Sequence, residues 1–97
     1  MAYRVIWSSK AVEDVDSIAT YIARDSPSYA AAVVRQILDA TSQLEDNPLT
    51  GELIAEGDND TFRDQPAYTY RVIYQVDGDT VKVVAVVHTK RLLGLNE

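Results

Sequence analysis

The sequence predicts an α+β fold in which an N-terminal strand is followed by an αα-hairpin and then a three-stranded antiparallel meander, with both helices packed on one face of the sheet. Three observations predict it. Apolar residues recur at helical period from Ala11 to Leu44, β-branched and aromatic residues fill two runs between Tyr70 and Val87, and Asp77-Gly78-Asp79 separates those runs as a hairpin turn. A chain of 97 residues buries enough surface for one modest core, so residues 1–97 are expected to form a single domain.

Tyr3-Arg4-Val5-Ile6-Trp7 reads as a short strand that Ser8-Ser9 ends, and one of those serines is placed to cap a helix. Ala11, Val15, Ile18 and Ile22 form the first helix's apolar stripe. Glu13, Asp14 and Asp16 stand near its positive end, which reads as acids stabilised by the helix dipole on a solvated face. Asp25-Ser26-Pro27 breaks this helix and starts the next, with Ser26 as cap and Pro27 at the first position, where a missing N–H costs nothing. Ala30, Val33, Val34, Ile37, Leu38, Thr41 and Leu44 continue the stripe until Asn47-Pro48 stops it, so residues 9–46 are expected as a helical hairpin.

Leu49 to Asp60 carries two glycines, four acids and no basic residue, and reads as an exposed, mobile loop. Pro66 makes the stretch from Thr61 to Tyr68 at best an edge strand or a broken one. Tyr70 to Val76 is an uninterrupted strand, and Val81 to Val87, apolar on both faces, is expected mid-sheet. A two-residue turn at Asp77-Gly78 sets Arg71 opposite Val84 and on one face with Lys82 and His88; a three-residue turn reverses the pairing. Two helices cover one side of a sheet, so Ile73, Val84 or Val86, according to register, faces the other side and invites a partner.

Composition excludes several classes of function. Apolar residues at 46% and charged residues at 25% are those of a globular protein, and the absence of cysteine removes disulfides and thiolate metal sites and suits a reducing cytoplasm. No run nears the roughly 20 apolar residues of a membrane helix. The net charge of −6 is segregated: residues 1–60 hold four basic against eleven acidic residues, and residues 61–97 hold five against four. The C-terminal half can therefore present a neutral to basic face while the acidic half stays in solvent.

Catalytic constellations are mostly missing. His88 is the only histidine, the four glycines are scattered, and the serines near helix starts are explained as caps, so no metal, cofactor, phosphate loop or serine-hydrolase triad is expected. What stands out is His88-Thr89-Lys90-Arg91 after the last strand, together with Arg71. Arg71 read as a surface arginine pairs with an acid or stacks on a tyrosine, and His88 read structurally is a strand-end histidine bonded to backbone.

The order of parts resembles a known family. A strand ending Trp7-Ser8, a helix of the form Ala11-x-x-Asp14-x-x-x-Ile18-x-x-Tyr21-Ile22-Ala23, a stop at Asn47-Pro48-x-x-Gly51, then Arg63, Tyr70-Arg71-Val72-Ile73-Tyr74-x-Val76 and Val84-x-Val86-Val87-His88-x-x-Arg91 are similar to the RelE/ParE toxins over essentially the whole chain. The resemblance implies the toxin of a type II toxin-antitoxin pair, held inactive by a cognate antitoxin. It implies one of two targets, ribosome-bound messenger RNA for the RelE-like branch or DNA gyrase for the ParE-like branch. By position Arg71 and Arg91 match two arginines of the RNA-cutting enzymes, and with His88 they are the catalytic candidates under that reading. Only Arg63 precedes Arg71 where the RNA-cutting branch carries several basic residues, and −6 suits a ribosome ligand poorly, because phosphate binding draws on many cationic contacts. The expectation is therefore a ParE-like gyrase inhibitor, without sequence-specific nucleic-acid or membrane binding, whose target surface is Arg63, Arg71, His88, Lys90 and Arg91. A ribosome-dependent endoribonuclease and a non-toxic binding module of the same fold are the alternatives.

Overall fold

The computed structural model describes residues 2–54 and 62–89 of the chain. In order these form β1 (Arg4–Trp7), α1 (Ser9–Ala23), α2 (Pro27–Gln43), β2 (Glu52–Ile54), β3 (Phe62–Ala67), β4 (Tyr70–Asp77) and β5 (Thr80–His88). The strands make one mixed sheet in the order β1-β5-β4-β3-β2, in which β1 runs parallel to β5 and every other neighbour is antiparallel.

Both helices start as their capping chemistry dictates. Ser8 Oγ accepts from the Ala11 N–H, Ser26 Oγ accepts from the Tyr29 N–H, and Pro27 opens α2. The apolar stripes meet the sheet on one side only. Ala11, Val33, Ile37 and Ala40 pack on Ala67, Val72, Val83 and Val86, while Leu44, Tyr74 and Val81 form a second buried cluster beside them.

The sheet departs from expectation in three places. Residues 52–54, read as loop, form a fifth strand: Glu52, Leu53 and Ile54 pair with Asp64, Arg63 and Phe62. Three residues without alternation, set among acids and glycines, carry no strand signal of their own, and the rest of that segment, residues 55–61, lies outside the described residues. The stretch containing Pro66 is a full six-residue strand rather than a broken one. Proline is tolerated because β2 covers only Phe62 to Asp64, which leaves Pro66 where β3 has no second neighbour. As expected, β5 is interior, although β4 occupies the middle position.

The third departure decides which side chains share a face. The turn residues are Gly78 and Asp79, since Asp77 pairs with Thr80, and Gly78 supplies the φ of 63° that the turn requires. Tyr74 pairs with Val83 but Ile73 pairs with Ala85, so Val84 is an extra residue, a β-bulge. Arg71 consequently lies opposite Val87, not Val84. One bulged residue reverses the alternation beyond it: Val81 and Val83 face the helices before the bulge, and Val86 faces them after it. Lys82 thus shares the open face with Arg71, whereas His88, paired with Tyr70, turns to the helix side. Ile73 and the 43% exposed Ile6 also lie on the open face, and Val86 is in the core.

Candidate functional site

The bulge occurs where β5 loses its parallel neighbour. β1 ends at Trp7, opposite Val83, and the chain turns into α1, so the next residues of β5 need other partners. Ser8 and Asp14 provide them. Ser8 donates its backbone N–H to Val83 O at 2.9 Å and its hydroxyl to Val84 O at 3.1 Å, and Asp14 Oδ2 accepts the Val86 N–H at 2.9 Å. Two side chains of the first helical turns thereby continue the ladder that β1 leaves unfinished. Asp14 is thus more than an acid placed by the helix dipole: it joins α1 to an interior strand, and Lys10 reaches the same carboxylate at 3.0 Å.

Arg71 and Asp64 meet on the open face. Arg71 Nη1 donates to Asp64 Oδ1 at 2.9 Å, and Asp64 is only 8% exposed. A carboxylate removed from water needs this partner, and the guanidinium is directed at it rather than outward. Asp64 carried no signal in the sequence because its partner comes from a neighbouring strand. Arg63 turns the other way, on the face of Tyr74, and Nη1 donates to the carbonyls of Leu49 at 3.2 Å and Gly51 at 2.8 Å.

Those bonds belong to a node built on Tyr74, which is 0% exposed. Its hydroxyl donates to Pro48 O at 2.6 Å and accepts the Gly51 N–H at 3.1 Å. The Asn47-Pro48-x-x-Gly51 stop, Arg63 and the second tyrosine of Tyr70-Arg71-Val72-Ile73-Tyr74 therefore form one anchor that ties the end of α2 to the sheet. Burial raises the Tyr74 pKa above its ordinary value, against the lowering effects of the Gly51 N–H and Arg63. Burial likewise raises that of Tyr70. The unfolded chain ionises first as pH climbs past about 10, while the fold retains these protons. Their contribution to stability is complete below that pH and is lost as pH rises through the folded-state values. Urea melts between about pH 8 and 11.5 should show a fall in stability confined to the alkaline end, and Tyr74→Phe should make that fall shallower.

At the far end of β5 the aromatic residues collect. Tyr70 and His88 rings stack edge to face with centroids 5.3 Å apart, and Tyr29 and Tyr68 do the same at 6.0 Å, with the Tyr29 hydroxyl donating to that of Tyr68 at 2.6 Å. Tyr68 holds a φ of 62° in the turn between β3 and β4.

The five expected surface residues are thus not brought together. Arg63 is committed to loop carbonyls, Arg71 to Asp64 on the open face, and His88 stands on the helix side at the strand end. Lys90 and Arg91 lie outside the described residues. Among the described residues no three histidine, cysteine or acidic side chains gather as a metal-ligand set, and no helix is long and apolar enough to cross a membrane.

The family model described as "ParE toxin of type II toxin-antitoxin system, parDE" matches residues 5–93. No curated protein matches the chain in sequence. Among solved structures, a chain of the chromosomal ParDE toxin-antitoxin system from P. aeruginosa superposes with a TM-score of 0.72 at 18% identity, covering 90% of this chain and 96% of that one. A chain of the archaeal RelE-RelB complex from Pyrococcus horikoshii OT3 gives 0.66 at 24%, covering 94% and 99%. A chain of the E. coli DinJ-YafQ toxin-antitoxin complex gives 0.68 at 14%, covering 97% and 100%. At these identities the likeness is one of fold.

Proposed function

Because the chain belongs to the ParE toxin family of type II toxin-antitoxin systems, we propose that it acts in the cytoplasm as an inhibitor of DNA gyrase and that a cognate antitoxin neutralises it. The observation that carries the choice of target is the ion pair between Arg71 and Asp64. Cutting RNA requires cations free to stabilise a pentacovalent phosphorane and groups that move protons to and from the sugar and leaving oxygens. Arg71, one of the two positional matches to such cations, is neutralised within the sheet, and Arg63 is occupied by backbone carbonyls. A protein-binding role makes no such demand. The open face of Ile6, Ile73, Lys82 and the Arg71 pair, together with His88, Lys90 and Arg91 at and beyond the end of β5, is the proposed contact set.

The antitoxin reading draws on solved relatives that are toxin-antitoxin complexes, and on the sheet face that no helix covers among the described residues. Purified protein added to gyrase and supercoiled plasmid is expected to block supercoiling or trap cleaved DNA, and the added antitoxin to reverse it. No effect on gyrase at saturating protein, with cleavage of ribosome-bound messenger that Arg71→Ala or Arg91→Ala abolishes, would instead establish the ribonuclease. Harmless expression without any antitoxin would point to a binding module that keeps only the fold.

A further inference from the structure

Between α1 and the end of β5 lies a cavity of about 360 Å³ whose lining includes Asp14, Ser17, Ile18, Tyr21, Tyr70 and His88. Its volume is near the lower end of ligand clefts, about 300 to 1,000 Å³, and suits one side chain better than a whole cofactor. We propose that this cavity receives an arginine side chain presented by a protein partner.

Three features favour a planar cation. Asp14 is the one acidic residue of the lining among the described residues, and its carboxylate keeps acceptor capacity beyond the Val86 N–H, because two oxygens offer about four lone-pair sites. Its other partner, Lys10, does not line the cavity, and the Lys10 side chain is 66% exposed, so that pair is weak enough to be exchanged. Tyr21 and Tyr70 also line it, and a guanidinium can stack on an aromatic ring while it forks a carboxylate, a combination that an ammonium does not reproduce.

Charge and exposure indicate the same kind of visitor. The chain carries −6, so a basic partner is attracted to it and a nucleic acid is repelled. Tyr21 is 71% exposed, which is a large aromatic surface for one side chain to leave in water, and exposed tyrosines of this kind are common anchors of protein interfaces. The inference is independent of which target the toxin poisons.

The test is a nuclear magnetic resonance titration of the full chain with N-acetyl-arginine amide, with the uncharged isostere N-acetyl-citrulline amide alongside it. Saturable shifts centred on Tyr21, Tyr70 and Ser17 are expected with the arginine probe, and binding at least about tenfold weaker with citrulline. Asp14→Asn keeps an oxygen for the Val86 N–H while removing the charge, and Tyr21→Ala alters a side chain outside the core; each is expected to weaken the arginine probe by a similar factor. Equal binding of the two probes, shifts centred elsewhere, or no saturable shift overturns the proposal. So does tighter probe binding once Lys90 and Arg91 are replaced by glutamine, which would make the chain's own tail the occupant.

Discussion

Gly51→Ala is expected to destabilise the fold by about 3 kcal/mol, a fall in Tm of roughly 10 to 20 °C for a domain of this size. A Cβ at this position would lie 2.4 Å from the Tyr74 hydroxyl and 2.8 Å from the carbonyl oxygen of Asp64. The second of these atoms is backbone in the middle of a paired strand, so it yields only by distorting β3. The first can retreat, but retreat breaks the hydroxyl's buried bonds to Pro48 O and the Gly51 N–H. Both routes are costly. Thermal melts of Gly51→Ala and Tyr74→Phe, singly and together, check the argument: the double variant should be less destabilised than the sum of the two, because each removes part of the same node. A Gly51→Ala protein as stable as the parent would refute it.

Asp14→Ala should cost about 2 kcal/mol, and Asp14→Asn much less, in denaturant melts at neutral pH. Alanine leaves the Val86 N–H, on an interior strand at a bulge, without an acceptor, whereas asparagine retains one oxygen there. The exposed Lys10 pair contributes little to this difference, because it is screened and held by a long mobile side chain. Hydrogen exchange provides a local readout: the Val86 amide should lose protection in Asp14→Ala before the amides of Val81 and Val83 do. Equal effects of alanine and asparagine would mean that the carboxylate acts through its charge and not as an acceptor.

The two variants concern residues whose importance was only half visible in the sequence. Gly51, Tyr74 and Arg63 stand in the motifs that mark the family, yet nothing in their spacing says that they form one anchor, since Gly51 and Tyr74 are 23 positions apart. Asp14 stands three residues after Ala11 in another of those motifs, and an acid near a helix start has a sufficient local explanation. Its acceptor role depends on a strand 72 residues away. Asp64 gave no signal at all, because an acid between Arg63 and Gln65 on a strand containing proline looks like surface.

What the amino-acid sequence determined by itself is local. Serine caps, a proline at the first turn, apolar residues at helical period and β-branched runs around Asp77-Gly78-Asp79 are properties of neighbouring residues, and they were enough for two helices on one face of a sheet and for the family. What only the tertiary structure decided is the pairing between distant segments. The three residues of β2 become a strand only because β3 offers an edge, and the extra residue at Val84 reverses the face of everything after it. That single insertion separates Arg71 from His88, and the ion pair with Asp64 then neutralises the arginine that the sequence put forward as a free cation. Alternation along a strand is readable from residue types; the register that turns alternation into faces is set by hydrogen bonds to partners far away in the chain.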